Sequence, residues 1–329
     1  MIISRTPLRI SFFGGGTDFP NWYNKYGGSV LSTTIDKYIF ISIRDLPKIF
    51  KNKYHLRYKK NETVNSINKI EHPSIRETIK FLNIENNLDI VYHPDLPGNT
   101  GLGSSSAFTV GLIKALIALK NKQISKKELA LSALNIEQNL IKENVGSQDQ
   151  VAAAFGGFNK INFKENGEIY VEPIIISKKN YSKLEESILL FFTGFTRIGP
   201  NIQKDVKSKL KMNSSSLFDM QKISDQALKI LYKKNFSVKE FGNLLNIQWD
   251  LKKSLSTKIT NPLIDNLYKK AMKLGSYGGK ILGAGGGGFI MFVVDKKNQK
   301  NFIKSFPLLN VPFKFENTGS SIIYFDRHK

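Results

Sequence analysis

The sequence predicts an α+β protein of two domains, and three observations support that fold class. The chain has 329 residues, about twice the length of an ordinary domain, so two domains with a cleft between them are expected. Strand-like and helix-like segments alternate along the first 180 residues, which indicates a mixed α/β domain. Beyond about residue 180 a buried strand, several lysine-rich helices and a glycine-rich segment follow. We therefore expect an N-terminal domain over residues 1–180 and a C-terminal α+β domain over residues 181–329.

Apolar runs and capping signals predict the elements of the first domain. Strands are expected at Met1–Ser4, Tyr38–Ile43, Leu88–Tyr92 and Phe158–Phe163. Ser104–Leu119 carries apolar residues at the spacing typical of an amphipathic helix. Ser125 and Glu128 form a capping-box signature for a second helix, which is expected to run to about Glu143. A third helix is expected to start at Ser147.

The same signals predict the elements of the second domain. A buried strand is expected at Ile188–Phe192, and several lysine-rich helices are expected between Ile202 and Leu274. The last residues are expected to form a strand at Phe289–Val294, a helix at Lys296–Ser305, and strands at Pro312–Phe315 and Ser321–Phe325.

The composition excludes several classes of function. There is no cysteine, so a disulfide framework, a thiolate nucleophile and cysteine-ligated zinc or iron are excluded. The first residues lack the apolar core of a signal peptide, and the longest apolar runs are shorter than the roughly 20 residues of a spanning helix. We expect a cytoplasmic protein without a membrane segment.

The net charge is +22, from 49 Lys and Arg against 27 Asp and Glu. Clustered positive charge would indicate nucleic-acid binding, because phosphate backbones bind basic patches. The lysines instead occur singly or in pairs along the whole chain. This dispersion predicts an ordinary solvated surface, with a field that attracts anionic substrates as the alternative, and no nucleic-acid partner is expected.

The strongest chemical signal is the segment Leu96–Ala107, with sequence LPGNTGLGSSSA, which we call the phosphate loop. Gly98, Gly101 and Gly103 allow backbone N–H groups to converge without obstruction by Cβ atoms. The helix that follows adds partial positive charge at its N-terminus. Three glycines with three serines exceed what a capped helix needs and favour phosphate binding. The loop lacks the Gly-Lys-Ser/Thr ending of a Walker A motif.

Two further glycine motifs carry weaker signals. The N-terminal glycine motif, Arg5–Asp18, places Arg9 on a strand and three glycines just before Asp18. Close backbone approach next to a carboxylate suits a sugar, whose hydroxyls need a bidentate acceptor. The C-terminal glycine motif, Lys280–Ile290, precedes a buried strand. Taken alone, either motif is also compatible with an ordinary turn or hairpin.

Taken together, the three motifs resemble those of the GHMP small-molecule kinases, the galactokinase and mevalonate kinase superfamily, over essentially the whole chain. Arg5–Asp18 and the later segment at residues 193–197 are most similar to those of D-glycero-α-D-manno-heptose 7-phosphate kinases of bacterial surface-carbohydrate synthesis. Galactokinases carry Gly-Glu-His-Thr-Asp where this chain has Gly14–Asp18, so the residues that hold galactose are missing. The resemblance implies a GHMP kinase fold with an N-terminal nucleotide-binding domain, a C-terminal ferredoxin-like domain and an active-site cleft between them.

The resemblance also implies roles for particular residues. Asp149 faces the accepting hydroxyl as the proton acceptor, and Arg9 supplies positive charge beside the transferred phosphoryl group. Glu137 and a serine hold Mg²⁺, with Ser105 as the first choice and Ser104 and Ser106 left open. ATP is expected to contact Pro97, Gly98, Gly101, Leu102, Gly103, Ser104, Ser105 and Ser106. The sugar is expected to contact Gly15, Gly16, Thr17, Asp18, Arg197, Gly285 and Gly286.

The implied activity is that of an ATP-dependent sugar kinase with Mg²⁺, acting as a monomer or homodimer on a small sugar phosphate. The first expectation is phosphorylation of the C1 hydroxyl of heptose 7-phosphate to the 1,7-bisphosphate, toward GDP-heptose for capsule or another surface polysaccharide. Arg197 is the candidate for the 7-phosphate, because its planar fork suits bidentate phosphate contact. The alternatives are a kinase of an unphosphorylated sugar such as fucose, and a catalytically silent sugar sensor.

Overall fold

Two β-sheets with flanking helices form the molecule in a computed structural model, which describes residues 1–195 and 199–326. The strands are β1 (Ile2–Phe13), β2 (Gly28–Asp45), β3 (Tyr54–Arg57), β4 (Asn61–Val64), β5 (Leu88–Pro94), β6 (Phe158–Phe163), β7 (Ile169–Pro173), β8 (Ile188–Phe192), β9 (Gly278–Ile281), β10 (Phe289–Val293), β11 (Leu309–Asn310), β12 (Phe315–Glu316) and β13 (Ser321–Phe325). This arrangement confirms the predicted α+β class.

Eleven α-helices lie within the described residues. They are α1 (Pro20–Tyr26), α2 (Pro73–Phe81), α3 (Ser104–Leu119), α4 (Lys126–Leu134), α5 (Gln148–Phe155), α6 (Lys178–Ser187), α7 (Gly199–Ser208), α8 (Ser214–Tyr232), α9 (Val238–Ser254), α10 (Pro262–Lys273) and α11 (Gln299–Ser305). Short 3₁₀ turns occur at Ile67–Lys69 and Lys296–Asn298, and a π-helical segment at Asn135–Leu140. None of the helices in the described part of the chain has the length and apolar character needed to cross a lipid bilayer.

The large sheet has nine strands and is organised around β1 and β2. Its main order is β13-β1-β2-β5-β3-β4, with β6 and β12 also pairing with β2, and β7 pairing with β6. Strand β2 is long enough to pair with β6 through its first half and with β5 through its second half. Helices α3 and α5 pack on β1 and β2. The buried apolar residues of β1 therefore fix the positions of both helices.

The small sheet is antiparallel, with the order β11-β8-β10-β9. Its core is an aromatic cluster in which Phe191 and Phe292 pack against Phe302 and Phe306, with ring centroids 4.8–6.0 Å apart. Helix α9 packs on β9 and β10 and also contacts β1. It therefore lies between the two sheets.

The last strands of the described chain return to the large sheet. Strand β12 pairs with β2, and β13 pairs with β1. The turn between them lies against the end of α5, where Ser320 N–H donates to Ala153 O at 2.9 Å and a Cβ on Gly156 would meet the backbone of Gly319. The predicted domain division at about residue 180 stays a prediction, and any such division leaves β12 and β13 in the sheet of the N-terminal half.

Most sequence-predicted elements are confirmed. Helix α3 and strands β6, β8 and β13 have the predicted bounds, and the Ser125–Glu128 capping box is present. The second helix does not run as one α-helix to Glu143, because the α-helical pattern ends at Leu134 and a π-helical segment follows. The strand predicted at Pro312–Phe315 was wrong, since only Phe315–Glu316 pairs, with Thr34 and Ile35 of β2.

Gly156→Ala is expected to destabilise the protein more than Gly167→Ala. Both glycines have positive φ, +67° and +85°, a backbone conformation that costs an alanine about 1–3 kcal/mol. At Gly156 the new Cβ would also lie 2.2 Å from Gly319 N, whereas at Gly167 the nearest atom is 4.0 Å away. Overpacking should add about 1–3 kcal/mol at Gly156 only. Urea unfolding of both variants measures the difference, and equal losses would show that this contact does not constrain α5.

Candidate functional site

A cleft of about 290 Å³ lies where the loops after β1 and β5 face the glycine-rich loop between β9 and β10. Residues of α5 and α9 complete its walls. The cleft thus brings together all three glycine motifs identified in the sequence.

The phosphate loop has the conformation of an anion site. Gly101 and Gly103 have φ of +84° and +76°, in the left-handed region that glycine adopts without strain. Gly103 is the N-cap of α3 and has no side chain to cover the first amides of the helix. Ser104 Oγ accepts the N–H of Asn99 at 3.3 Å and closes the loop. The N-terminus of α3 therefore presents backbone donors to the cleft.

The C-terminal glycine motif packs directly against the phosphate loop. A Cβ on Gly283 would lie 2.4 Å from Gly101 Cα, and one on Gly288 would lie 2.3 Å from Thr100 O. Side chains at these positions would push the two loops apart. The glycine run is thus required for close backbone contact between loops from the two sheets.

Arg9 and Asp149 form the central ion pair of the cleft. Arg9 Nε donates to Asp149 Oδ1 at 2.8 Å, and Nη2 donates to Oδ2 at 2.9 Å, so the pair is bidentate. Arg9 Nη1 also donates to Gly101 O at 2.6 Å, and its backbone N–H donates to Leu102 O at 3.0 Å. Asp149 lies in the first turn of α5. This network joins β1, the phosphate loop and α5 at one point.

Asp18 lies beside this pair as a second, more deeply buried carboxylate. Its Oδ1 accepts the Gly16 N–H and its Oδ2 accepts Gln148 Nε2, each at 2.9 Å. Burial raises the pKa of Asp18, and the nearby charge of Asp149 raises it further. A Cβ on Gly146 would lie 2.0 Å from Asp18 Oδ2. The carboxylate is therefore held rigidly at the cleft wall.

Glu137 is held by α3 and α5 at the other end of the site, on the π-helical segment. Its Oε2 accepts Ser106 Oγ at 2.8 Å and Gln150 Nε2 at 2.5 Å. Burial raises the pKa of Glu137 to about 7. The structure therefore pairs Glu137 with Ser106. The first choice from the sequence, Ser105, is exposed because successive residues of a helix point about 100° apart.

Two buried oxygens near Ser106 suit a hard cation. Glu137 Oε1 and Gln150 Oε1 are buried and have no hydrogen-bond partner among the described residues. The described residues contain no cluster of three or more His, Cys, Asp or Glu side chains able to hold a metal. A Mg²⁺ ion does not need such a cluster, since it binds through one or two carboxylates together with water and substrate phosphates. The oxygens present here fit that pattern.

Most predicted site residues line the cleft, and a smaller group does not. Those that line it are Arg9, Gly15, Gly16, Asp18, Gly101, Gly103, Ser104, Ser105, Ser106, Asp149 and Gly285. Those that do not are Thr17, Pro97, Gly98, Leu102, Glu137 and Gly286. Arg197 lies outside the described residues.

Several residues of the second group have identifiable local roles. Thr17 is fully buried, and its hydroxyl donates to Gly14 O at 2.8 Å, so it holds the turn. Gly286 donates its N–H to Ile259 O at 2.8 Å. Leu102 contributes its carbonyl to Arg9, while Pro97 and Gly98 are exposed.

Sequence reasoning missed two buried lysines at the cleft, Lys252 of α9 and Lys280 of β9. Lys280 Nζ donates to Ser11 O and Phe12 O at 2.9 and 3.0 Å, which ties β9 to β1. Burial lowers the pKa of Lys252 to about 7 and that of Lys280 well below its usual value. Helical periodicity could have found Lys252, because it follows Trp249 by three residues on the buried face of α9.

The chain matches two family descriptions and several individual proteins. The GHMP kinases N terminal domain matches residues 65–157, and the GHMP kinases C terminal region matches residues 227–307. A Campylobacter jejuni protein named D-glycero-alpha-D-manno-heptose 7-phosphate kinase is 35% identical over 92% of each chain. A Pyrococcus furiosus galactokinase is 25% identical over 91% of this chain and 90% of its own.

Solved structures show the same fold. A crystal structure described as a D-glycero-D-manno-heptose 1-phosphate kinase from Bacteroides thetaiotaomicron has a TM-score of 0.80 and 25% identity, covering 99% of this chain and 100% of its own. A putative sugar kinase from Campylobacter jejuni has a TM-score of 0.68 and 29% identity, covering 98% and 97%. With both family regions matched in order, and a full-length relative above 30% identity, the chain belongs to the GHMP kinase family.

Proposed function

We propose that this ATP-dependent carbohydrate kinase transfers the γ-phosphoryl group of ATP to the C1 hydroxyl of D-glycero-α-D-manno-heptose 7-phosphate, forming the 1,7-bisphosphate. The observation that carries the proposal is the bidentate Arg9–Asp149 pair, placed directly against the phosphate loop. Phosphoryl transfer depends mainly on positioning and on electrostatic stabilisation of the moving group. The cleft provides both.

The phosphate loop would hold the triphosphate of ATP. Amide donors at the start of α3 and the glycines of the loop can approach phosphate oxygens closely. The contact between Gly101 and Gly283 fixes the loop from the opposite side. A rigid loop costs little ordering free energy when the anion binds.

Asp149 would orient the accepting hydroxyl and take its proton. Because the transition state is loose, the nucleophile needs positioning more than early deprotonation. Arg9 keeps the carboxylate of Asp149 in one orientation through two hydrogen bonds and adds positive charge where the phosphoryl group passes. The acceptor sugar would lie toward Asp18, Gly15 and Gly16, which line the adjoining part of the cleft.

Mg²⁺ would be held by Glu137 and Ser106, with the amide oxygen of Gln150 beside them. Bound there with the nucleotide, the ion would neutralise charge on the phosphate oxygens. The unpartnered Oε1 atoms of Glu137 and Gln150 support this site. Ser105 is exposed and is better placed to contact nucleotide phosphates with its hydroxyl.

The choice of a phosphorylated heptose rests on similarity. The Campylobacter jejuni relative is named for the 7-phosphate, and the Bacteroides thetaiotaomicron structure for the 1-phosphate. Both names join a heptose to a phosphate, and they differ in which end of the sugar carries it. The missing Glu and His of the galactokinase motif, between Gly14 and Thr17, support a sugar other than galactose.

Asp149→Asn is expected to lower kcat by about 10²–10⁴-fold while leaving ATP affinity nearly unchanged, because the amide keeps the shape but cannot accept the proton. Steady-state kinetics and ATP titration measure the two effects. Asp219→Asn is the matched control, since Asp219 is a half-exposed carboxylate paired with Lys222 on α8. An Asp149→Asn enzyme within a few-fold of the wild type would remove Asp149 from the reaction.

Glu137→Gln and Ser106→Ala are expected to raise the Mg²⁺ concentration needed for half-maximal activity, with little change in sugar affinity. A hard cation loses a charged ligand in the first variant and a hydroxyl ligand in the second, so the effect of Glu137→Gln should be larger. Ser105→Ala is the matched control on the same helix turn and should keep the wild-type Mg²⁺ dependence. The reverse order of the two serine variants would assign the metal to Ser105.

The wild-type enzyme is expected to phosphorylate heptose 7-phosphate far better than free heptose, fucose or galactose. Arg197→Ala should raise KM for heptose 7-phosphate and leave KM for ATP nearly unchanged, because a phosphate loses its bidentate partner. A coupled ADP-release assay over this sugar panel measures both. Equal use of phosphorylated and free heptose would favour a kinase of unphosphorylated sugars instead.

A further inference from the structure

Lys252 occupies a position at the cleft that the reaction described above does not use. It lies on the buried face of α9, and its side chain reaches the cleft wall. Its Nζ donates to Ile281 O at 3.1 Å and to Gly283 O at 2.5 Å. An ammonium group has three N–H donors, and the described residues supply hydrogen-bond acceptors for two of them. One donor is therefore left for a ligand.

One of the two carbonyls that bind Lys252 belongs to the glycine-rich loop that touches the phosphate loop, and the other lies at the end of β9. Gly283 O accepts Lys252 Nζ, and Gly101 O accepts Arg9 Nη1. Gly283 and Gly101 are themselves in direct backbone contact. The two cations thus hydrogen-bond to adjacent loops, and they reach the cleft from different elements, β1 and α9.

Lys252 interacts electrostatically with charged groups from several other elements. They are Arg9 of β1, Asp18 of the following loop, Asp149 of α5 and Lys280 of β9. The described residues include no ion pair between Lys252 and Asp18 or Asp149. The ammonium group is therefore beyond ion-pair distance of both carboxylates, although all three side chains line the same cleft.

The other two cations are less available to a ligand. Arg9 holds Asp149 through two hydrogen bonds, and Lys280 donates to two carbonyls of β1 at a fully buried position. Lys252 is more exposed than Lys280, 8% against 2%, and unlike Arg9 it is paired with no carboxylate among the described residues. Its long side chain allows the ammonium group to turn toward an anion without breaking an ion pair.

We infer that Lys252 is a further catalytic residue, whose ammonium group binds the transferred phosphoryl group during its passage from ATP to the acceptor. In that step the bond between the γ-phosphorus and the bridging oxygen breaks, and ADP leaves with the electron pair. A bond forms between phosphorus and the acceptor oxygen, and the hydroxyl proton passes to Asp149. The inference rests on phosphoryl transfer from ATP and not on the identity of the sugar.

The protonation of Lys252 gives a signature that a purely structural lysine would not show. Burial lowers its pKa to about 7, and the positive charge of Arg9 contributes to the decrease. In the free enzyme the ammonium form is lost as the pH rises through about 7. A bound polyphosphate favours the charged form and raises the pKa again. Nucleotide binding above pH 7 should therefore take up a proton at this site.

The first test compares Lys252→Met, Lys252→Arg and Lys253→Met with whichever sugar the wild-type enzyme phosphorylates. Loss of a charge-assisted hydrogen bond in the transition state should lower kcat by roughly 10–100-fold in Lys252→Met. Lys252→Arg should recover part of that loss because it keeps the charge. Lys253→Met is the matched control, since Lys253 is the next residue of α9, partly exposed and paired with Asp250. Its kcat should equal that of the wild type.

The second test does not depend on turnover. Binding of a non-hydrolysable ATP analogue with Mg²⁺ is measured by calorimetry at pH 8 in buffers of different ionisation enthalpy. When the analogue binds, the wild type should bind as much as about one proton more than Lys252→Arg does, because the guanidinium of the variant is already charged at this pH. The fall of kcat/KM for ATP above pH 7 should also move to higher pH in Lys252→Arg.

Three outcomes would each overturn the inference. The first is a kcat for a folded Lys252→Met within three-fold of the wild type, and the second is equal proton uptake by the wild type and Lys252→Arg. The third is an equal loss of kcat in both Lys252 variants with an unchanged pH profile. The last outcome would assign Lys252 to holding the Gly283 loop only. Turnover of free sugars alone would refute the heptose 7-phosphate assignment and leave these comparisons valid.

Discussion

The Arg9–Asp149 ion pair is the interaction on which the rest of the site depends. Arg9 is almost fully buried, and its side chain and backbone together bind α5 and two carbonyls of the phosphate loop. A buried charge without its partner is strongly unfavourable. The pair therefore links the positions of β1, α5 and the phosphate loop. Displacing one of these elements would leave a buried charge without its partner. The same pair thus holds the elements of the cleft in place and positions the residues proposed for phosphoryl transfer.

The second constraint is close contact between backbones. Glycines at positions 101, 283 and 288 allow loops from the two sheets to approach within distances that any side chain would prevent. A loop held on both sides by backbone has few alternative conformations, so its amide donors stay aimed at the same point. The abundance of glycine around this cleft therefore reflects rigidity.

The sequence predicted local structure well and the assembled site less completely. The bounds of α3 follow from its apolar spacing, and its glycine-rich start indicates anion binding without reference to any other part of the chain. The pairing of Arg9 with Asp149 spans 140 residues, and no local pattern encodes it, so its prediction depended on the resemblance to known kinases. The sequence could not show which of three consecutive serines hydrogen-bonds Glu137, because Ser105 and Ser106 differ only in the direction in which each points from α3. The π-helical segment that contains Glu137 directly follows α4, and its sequence is typical of an ordinary α-helix.

The return of β12 and β13 to the large sheet also affects how the chain acquires its structure. Strand β1 pairs with residues more than 300 positions later, and contacts of such long sequence separation slow folding. During synthesis one edge of β1 stays without its partner until nearly the whole chain shown here has been made, and an unpaired edge is a template for association with other chains. The dispersed positive charge gives growing chains a means to repel one another during that interval.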